Sequence, residues 1–277
     1  MPQRFNLQRN AIIAVLAIVV IGVVAYQLSQ VPRGLICAGS TTVLPITQEC
    51  ARLFMEKNPD ARISVSGGGS GTGIQQVGDG YIDIGAASRD LKISEITKWP
   101  DLQTVAIGKD TIVIIVHPNN SIDDLTLKQI AQIFAGEITD WSEVLGNNAP
   151  INLITREEGS GTRGIFEEIV MDPFEKEIAG EALVKLYNGE VRAAVATDEN
   201  AISYLSLGYL DTTVKGITID GVEANIENIL SEDFPIIRTL WLITKGTPSS
   251  LEQDFLDFIL SDEGQEVVEE FGYIKVK

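Results

Sequence analysis

The sequence predicts an α/β protein with two lobes, each a mostly parallel sheet flanked by helices, preceded by an N-terminal transmembrane helix. Three observations support this fold class. Short apolar runs rich in β-branched residues alternate with segments of helical period, which is typical of parallel strands connected by helices. The fully apolar strand at 111–116 and a second apolar strand at 235–244 can carry the chain from one lobe to the other and back. A charge-free apolar stretch precedes both lobes.

The elements follow one another in a regular order. Strands are predicted where short runs consist mainly of Val, Ile, Leu, Ala and Thr, at 35–38, 61–66, 81–86, 104–107, 111–116, 151–155 and 235–244. Helices are predicted where segments of helical period lie between the strands, at 45–58, 71–79, 126–134, 162–170 and 201–207. A last amphipathic helix follows Ser249 or Ser250, either of which is a credible N-cap.

The limits of the lobes follow from two features. His117 to Asn120 break the pattern directly after an apolar strand, and the strand at 235–244 is ready to bring the chain back. These features predict a first lobe of residues 35–116 and 236–277 and a second lobe of residues 117–235.

Residues 1–34 form a separate segment. Ala11 to Leu28 are 18 residues without a charge, and Arg4 and Arg9 precede them. About 20 apolar residues span a bilayer, and basic flanks stay on the cytoplasmic side. The segment therefore predicts a cell-membrane anchor with the rest of the chain outside the cytoplasm. A cleaved signal segment is the alternative, since the apolar region of a signal peptide usually runs ~7–15 residues.

Charge and cysteine content exclude several classes. The net charge is −18, and residues after the arginine-bearing N-terminal segment are more acidic still. Nucleic acid is therefore excluded as a partner, because its binding depends on basic patches. Cys37 and Cys50, with a single histidine, are too few to form a metal site, and no cofactor is predicted. We expect two buried free thiols, with a disulfide between them as the alternative.

Three loops rich in glycine and hydroxyl residues each follow a predicted strand and precede a predicted helix. They are Gly39 to Thr42, Ser70 to Gly73 and Ser160 to Thr162. The second loop includes Gly71, and the third includes Gly161. The first amides of a helix lack intrahelical partners and carry the positive end of its dipole, so such a start can bind an anion. Any one loop alone can be a plain connection with a helix cap. Because strand ends of open α/β sheets meet at one edge, the three together predict one small-anion site between the lobes.

Three arginines lie near these loops. Arg156 stands at a strand end before the third loop, Arg163 follows that loop, and Arg89 follows Ser88 at the end of another strand. A guanidinium can hold two oxygens of an oxyanion at once, and Arg156 is the best-placed candidate. The alternative is a surface arginine paired with one of the two glutamates that follow it, and the spacing leaves both possibilities open.

Other phosphate-handling motifs do not fit. A P-loop needs Lys and then Ser or Thr after its glycines, whereas Ile74 and Gln75 follow Gly73. A hydrolase elbow has Gly two residues on either side of its Ser, and neither Ser70 nor Ser160 has both. No second histidine or distinctive carboxylate pair supplies acid–base chemistry. The chain is therefore predicted to bind its ligand without acting as an enzyme.

Five ordered motifs are shared with a known family. They are GSTTVLP at 39–45, SGGGSGTG at 66–73, DIGAASR at 83–89, LTLKQIAQIFAGEITDW at 125–141 and REEGSGTR at 156–163. Together they resemble the extracytoplasmic phosphate-binding proteins of phosphate ABC importers. The resemblance implies a two-lobed periplasmic binding protein of type II, a monomer that closes on inorganic phosphate and delivers it to ABC permease subunits.

The resemblance also implies phosphate contacts, which join those expected from the loops. The predicted phosphate-binding set is Ser40, Thr41, Thr42, Ser70, Gly71, Ser88, Arg89, Arg156, Ser160, Gly161 and Thr162. Well-known members have an Asp where this chain has Ser88, and that Asp accepts the proton that phosphate retains. A serine hydroxyl can also accept a hydrogen bond, but it cannot repel a fully ionised oxyanion. We expect phosphate to bind in preference to sulfate.

Alternative functions stay open on the sequence. The ligand could be another tetrahedral oxyanion, namely sulfate, molybdate, tungstate or arsenate. An exported phosphate-ester hydrolase and an ectodomain that keeps the fold without the ligand are the remaining alternatives.

Overall fold

The computed structural model describes residues 34–231 and 233–276. The predicted N-terminal transmembrane helix lies outside them, and within them no helix has the length and apolar character needed to cross a membrane. The strands are β1 (Gly34–Gly39), β2 (Arg62–Gly67), β3 (Ile84–Ala87), β4 (Leu102–Val116), β5 (Asp124–Leu125), β6 (Asn152–Arg156), β7 (Leu183–Lys185), β8 (Ala201–Ser206), β9 (Lys215–Gly216), β10 (Thr218–Ile219) and β11 (Ile237–Lys245). The helices are α1 (Leu44–Lys57), α2 (Ser70–Asp79), α3 (Ile93–Lys98), α4 (Leu127–Phe134), α5 (Gly161–Phe166), α6 (Asn188–Val195), α7 (Ile226–Leu230), α8 (Ser250–Ile259) and α9 (Asp262–Glu270).

Nine of the described strands form one mixed sheet in the order β2-β1-β3-β11-β4-β8-β6-β7, with β9 paired on β4. The pairs at both ends are parallel, namely β2-β1-β3 and β7-β6-β8. The central pairs, β3-β11-β4-β8, are antiparallel. This corrects the prediction of a mostly parallel sheet in each lobe. The physical reason is that β4 and β11 carry the chain between the lobes in opposite directions, so they pair antiparallel.

Strand β4 is longer than the sequence predicts. The runs at 104–107 and 111–116 belong to this one strand, because the polar residues between them stay extended and pair with β11. From Ile112 to Val116 the strand pairs with β8 instead. It ends at Val116, directly before the predicted break at His117. One strand therefore serves both halves of the sheet.

Two main hydrophobic cores lie on either side of this crossing. The first gathers side chains from β1, β2, α1 and the C-terminal helices, and Phe54 meets Phe255 edge-on with 5.5 Å between ring centroids. The second gathers side chains from α4, α5 and β8, and Phe166 stacks on Tyr204 at 4.0 Å. Alternate residues of the 112–116 segment join the second core. The predicted two-lobed α/β fold is confirmed.

The segment 201–207 was predicted as a helix and is strand β8, so that prediction is wrong. All six residues of the strand are buried, and it lies between β4 and β6. A strand covered on both faces need not alternate between apolar and polar residues. The spacing of Ile202 and Leu205 therefore fits a helix equally well, and only the neighbouring strands decide.

The helix predicted at 162–170 begins at Gly161 and changes its winding after Phe166. Residues Glu167–Met171 continue it as a π-helical turn. The amphipathic C-terminal segment forms two helices, α8 and α9. Ser249 caps the first of them, as predicted, by accepting a hydrogen bond from the Glu252 amide.

Both cysteines are buried free thiols, which confirms the sequence prediction. Burial raises the pKa of Cys37 and of Cys50 to about 12. The two thiols are therefore protonated at neutral pH and belong to the first core.

Candidate functional site

Strands β1, β3 and β6 end in one region, and hydroxyl side chains follow each of them. Ser40 to Thr42 follow β1, Ser88 follows β3, and Ser160 ends the connection from β6 into α5. Gly39 makes the first of these turns possible. Its φ is +141°, and a Cβ at this position would lie 2.2 Å from the Ala86 carbonyl oxygen. Only glycine can adopt this turn without a clash.

The side chains of Ser40, Thr42, Ser70, Ser88 and Thr162 form what we call the hydroxyl cluster. Ser40 Oγ donates to Ser88 Oγ at 3.0 Å, and Ser88 Oγ lies 3.4 Å from Ser70 Oγ. Thr42 Oγ1 lies 3.3 Å from Thr162 Oγ1. Each of the five residues is at most 2% exposed. Hydroxyl groups can donate and accept, so buried hydroxyls that pair with one another can also turn toward a ligand.

The two Ser-Gly-Thr turns face each other across the lobes. The Gly71 amide donates to the Gly159 carbonyl oxygen at 3.0 Å. A Cβ on Gly161 would lie 2.3 Å from Ser70 Oγ and 2.6 Å from Ser88 Oγ. The second turn therefore packs directly on the hydroxyl cluster, and the space at Gly161 admits no side chain.

Helix α5 begins at the second turn with a capped end. Ser160 Oγ accepts a hydrogen bond from the Arg163 amide at 3.2 Å. Within the described residues, the amides of Gly161 and Thr162 donate no hydrogen bond to the protein. These first-turn amides are the groups that the sequence predicted as anion donors.

Arg156 reaches the first loop from the end of β6, and its side chain is 1% exposed. Its Nη2 donates to Thr41 Oγ1 at 3.3 Å and to the Leu186 carbonyl oxygen at 2.7 Å. Its Nε and Nη2 also contact the Glu157 carboxylate, at 3.1 and 3.2 Å. Arg156 therefore pairs with Glu157, as the second alternative expected, but it is buried and not on the surface, and its guanidinium also touches the first loop.

The other two arginines are engaged elsewhere. Arg89 donates to both oxygens of Glu95, at 2.7 and 2.9 Å, and within the described residues it makes no hydrogen bond to the hydroxyl cluster. Burial by itself raises the pKa of the Glu95 carboxyl. Hydrogen bonds from Arg89 and from the Lys92 amide lower this pKa by more than burial raises it, so the net shift is downward. Arg163 donates to Glu167 Oε1 at 2.7 Å.

Of the predicted site residues, those the structure brings together are Ser40, Thr41, Thr42, Ser70, Gly71, Ser88, Arg156, Ser160, Gly161 and Thr162. Arg89 stays beside them, held by its glutamate.

Arg238 and Asp110 were missed by the sequence analysis. Arg238 Nη1 donates to Thr162 Oγ1 at 2.9 Å, and its Nη2 donates to Thr42 Oγ1 at 3.1 Å. Its Nε and Nη2 donate to Asp110 Oδ2 at 2.9 and 2.6 Å. Complete burial raises the pKa of Asp110, and the adjacent guanidinium opposes that shift. The available signal was an arginine inside an apolar strand, since a buried charge requires a partner.

Three further polar groups hold the first loop in place. Tyr209 OH donates to the Thr41 carbonyl oxygen at 2.7 Å, and Tyr273 OH donates to that of Thr42 at 3.0 Å. Burial raises the pKa of Tyr209 to about 12 and that of Tyr273 well above its usual value, so both phenols keep their protons. Asn188 Nδ2 donates to Thr42 Oγ1 at 3.1 Å. These groups therefore hold the first loop in place where the two lobes meet.

A cleft of about 940 Å³ between the lobes borders this region. Its cationic lining residues are Arg89, Lys92, Lys109, Arg163, Lys176 and Arg238, and its acidic ones are Asp90, Glu167, Glu168, Asp172 and Glu177. The two signs are nearly balanced here, in contrast to the net charge of −18 for the whole chain. This cleft is therefore less acidic than the chain as a whole.

Comparison with known proteins identifies related sequences. Residues 28–263 match the family model of the PBP superfamily domain. The phosphate-binding protein PstS of Bacillus subtilis (strain 168) is 32% identical over 244 residues, covering 86% of this chain and 79% of the relative. The phosphate-binding protein PstS of Borreliella burgdorferi is 30% identical over 250 residues, covering 86% of this chain and 88% of the relative.

Solved structures show the same fold. A substrate-binding protein of a phosphate ABC transporter from Clostridium perfringens, solved with bound phosphate, has a TM-score of 0.84 and 40% identity, covering 88% of this chain and 100% of that chain. An ABC-type phosphate transport receptor from Vibrio cholerae has a TM-score of 0.73 and 29% identity, covering 87% and 99%.

The two-lobed fold, with a buried polar cluster where the lobes meet, defines a substrate-binding protein of the PBP superfamily. Within that superfamily, the chain belongs to the family of phosphate-binding proteins PstS. The resemblance seen in the five sequence motifs is confirmed.

Proposed function

We propose that this protein captures inorganic phosphate between its lobes and passes it to the permease subunits of an ABC transporter. The observation that carries the proposal is the buried hydroxyl cluster, which joins hydroxyls of both lobes and is contacted by a buried arginine. Donors of this kind replace the water shell of a tetrahedral oxyanion, and each charge-assisted hydrogen bond contributes about 1.5–3 kcal/mol. Like its relatives, the protein works by binding and release and is not an enzyme.

The proposed phosphate contacts keep the set predicted from the sequence. They are Ser40, Thr41, Thr42, Ser70, Gly71, Ser88, Arg89, Arg156, Ser160, Gly161 and Thr162. The contacts of Thr42 with Thr162 and of Ser70 with Ser88 support most of this set, because they gather these residues in one region. Arg89 is the member with the weakest support, since Glu95 already holds its guanidinium.

We assign the lobes to residues 35–116 with 236–277 and to residues 117–235. The two separate cores support this division. The pairing of Ile112 to Val116 with β8 supports a crossing that lies within β4, a few residues before His117. Closure would then bend β4 and β11 near the hydroxyl cluster.

We propose that residues 1–34 anchor the protein in the cell membrane, with a monomeric binding domain outside the cytoplasm. The 18 uncharged apolar residues from Ala11 to Leu28 support the anchor. Their basic flank supports the orientation.

The acidic body is compatible with an anionic ligand. Exposed charges are screened beyond a Debye length of ~8 Å at physiological salt. Hydrogen bonds inside the buried cluster act at far shorter range, so they outweigh the surface charge. The net charge of −18 therefore slows encounter more than it weakens the bound state.

Isothermal titration calorimetry of the purified protein with phosphate tests the proposal. We expect micromolar or tighter binding that is lost when Ser70 and Ser160 are both replaced by Ala. Ser94→Ala is the matched control, because Ser94 is an exposed serine on α3. The absence of heat and of thermal stabilisation by phosphate in the unmodified protein would refute the proposal.

A second candidate function is the binding of another tetrahedral oxyanion, and Ser88 favours it. A serine in place of a carboxylate does not reject a ligand that has no proton to donate. We still expect phosphate to bind in preference to sulfate, because Ser88 Oγ can accept a hydrogen bond from the O–H group that phosphate retains. Competition titrations with sulfate, molybdate, tungstate and arsenate decide this, and equal affinity for phosphate and sulfate would favour the second function.

A further inference from the structure

The ion pair of Arg238 and Asp110 lies where the two connecting strands meet. The residues face each other across β11 and β4, and their side chains are 1% and 0% exposed. The two hydrogen bonds that Arg238 donates to Asp110, from Nε and from Nη2, are both accepted by Oδ2. Oδ1 has no hydrogen-bond partner among the described residues. The pair is thus buried at the base of both lobes, with the carboxylate fixing one edge of the guanidinium.

The other edge of the guanidinium points at the hydroxyl cluster. Nη1 donates to Thr162 Oγ1 at 2.9 Å and lies 3.4 Å from Ser88 Oγ, while Nη2 donates to Thr42 Oγ1 at 3.1 Å. One planar group therefore contacts hydroxyls of both lobes. Arg238 also lines the cleft between the lobes, so a ligand entering there can reach it.

The acceptors that face this edge of the Arg238 guanidinium suit a ligand site better than a purely structural contact. Thr42, Ser88 and Thr162 offer the cation only neutral oxygen acceptors. An oxyanion is a stronger acceptor for the same N–H groups, and the fork of a guanidinium matches two of its oxygens. Released from Arg238, the hydroxyls can turn their own hydrogens to the same anion.

We propose that Arg238 contacts phosphate directly, with Nη1 and Nη2 donating to the oxyanion from the side of the connecting strands while Asp110 holds the guanidinium in place. The inference rests on the proposed function, because it assigns a further contact within that site. It also explains how the site tolerates Ser88 where a carboxylate is expected. A second arginine, in addition to Arg156, supplies binding energy that does not depend on a proton acceptor.

The test compares phosphate affinity by calorimetry in four proteins. They are the unmodified protein, Asp110→Asn, Asp110→Asn combined with Arg238→Gln, and a control with Glu49→Gln and Arg52→Gln. Asp110→Asn keeps a side-chain oxygen that can accept from Arg238. The combined variant avoids the unpaired buried carboxylate that Arg238→Gln alone would leave, which by itself can unfold a protein. The control removes the same two kinds of charge from an exposed pair on α1, where Arg52 Nη2 lies 2.6 Å from Glu49 Oε1.

The combined variant is expected to bind phosphate about 10- to 150-fold more weakly than Asp110→Asn. This range corresponds to the loss of at least one charge-assisted hydrogen bond to the ligand. The control should match the unmodified protein. Equal affinity of the combined variant and Asp110→Asn overturns the inference, because a pair that only ties β4 to β11 affects folding and not the ligand. Thermal denaturation without phosphate reports the folding of each variant.

If the combined variant does not fold, the phosphate affinity of Arg238→Lys tests the inference instead. It keeps a positive charge beside Asp110 but loses the two-pronged donor. About tenfold weaker phosphate binding by a protein that folds supports the inference, and unchanged affinity overturns it. A failure of the unmodified protein to bind phosphate is a different result, since it removes the proposed function and this inference with it.

Discussion

Replacing Gly161 by Ala is expected to weaken phosphate binding without unfolding the protein. The added methyl group would lie 2.3 Å from Ser70 Oγ. Non-bonded heavy atoms prefer about 3.5 Å or more, so the two turns must move apart by about 1 Å. That movement breaks the 3.0 Å hydrogen bond from Gly71 to Gly159 and separates hydroxyls that now touch across the lobes.

The size of the effect follows from the bonds that are lost. Two neutral hydrogen bonds, at about 0.5–1.5 kcal/mol each, amount to about 1–3 kcal/mol of closure energy. A closed complex destabilised by this amount has a Kd about 5- to 150-fold higher. The unliganded lobes can part to relieve the clash, so we expect the free energy of unfolding to change by less than about 1 kcal/mol.

Titration calorimetry with phosphate measures the change in Kd, and urea denaturation without phosphate measures stability. Gly159→Ala is the matched control two residues away, because a Cβ there meets no atom within 4 Å. Phosphate affinity of Gly161→Ala within about twofold of this control would contradict the reasoning, since the turns would then not approach each other in the bound form.

Three further predictions concern the core, the thiols and the N-terminal segment. Phe166→Ala removes a fully buried ring and should lower the free energy of unfolding by about 3–5 kcal/mol in urea denaturation, whereas Leu145→Ala, at a residue 98% exposed, should change it by less than about 0.5 kcal/mol. Burial raises the pKa of Cys37 and Cys50 from 9.0 to about 12, so the unfolded chain releases protons that the folded protein keeps. The free energy of unfolding should therefore fall as the pH rises from 9.0 to about 12, and less steeply when both are replaced by Ala. The full chain should sediment with membranes and a chain lacking residues 1–34 should not; equal distribution would contradict the proposed anchor.

The loops of the site could be predicted from the sequence because their chemistry is local. Gly39 and Gly161 both stand next to hydroxyl residues, Gly39 at the end of β1 and Gly161 at the start of α5. Small residues in this pattern permit close backbone approach, and helix starts supply the donors. The structure brings these loops together as the topology of an α/β protein requires.

Arg238 could not be found in the same way. Its partner Asp110 lies 128 positions away, and only the register between β4 and β11 brings the two side chains together. Strand β8 was missed for a related reason, since Ala201 to Ser206 are buried on both faces and the spacing of their apolar residues fits a helix as well. In both cases the deciding information lies in neighbouring strands and is absent from the local pattern.

A crystal structure of the protein with bound phosphate tests the central claim most directly. We predict a single phosphate enclosed between the lobes, with its oxygens within hydrogen-bond distance of Thr42, Ser70, Thr162 and the guanidinium of Arg238. Phosphate bound outside the hydroxyl cluster, or contacted by residues of one lobe only, would contradict the account.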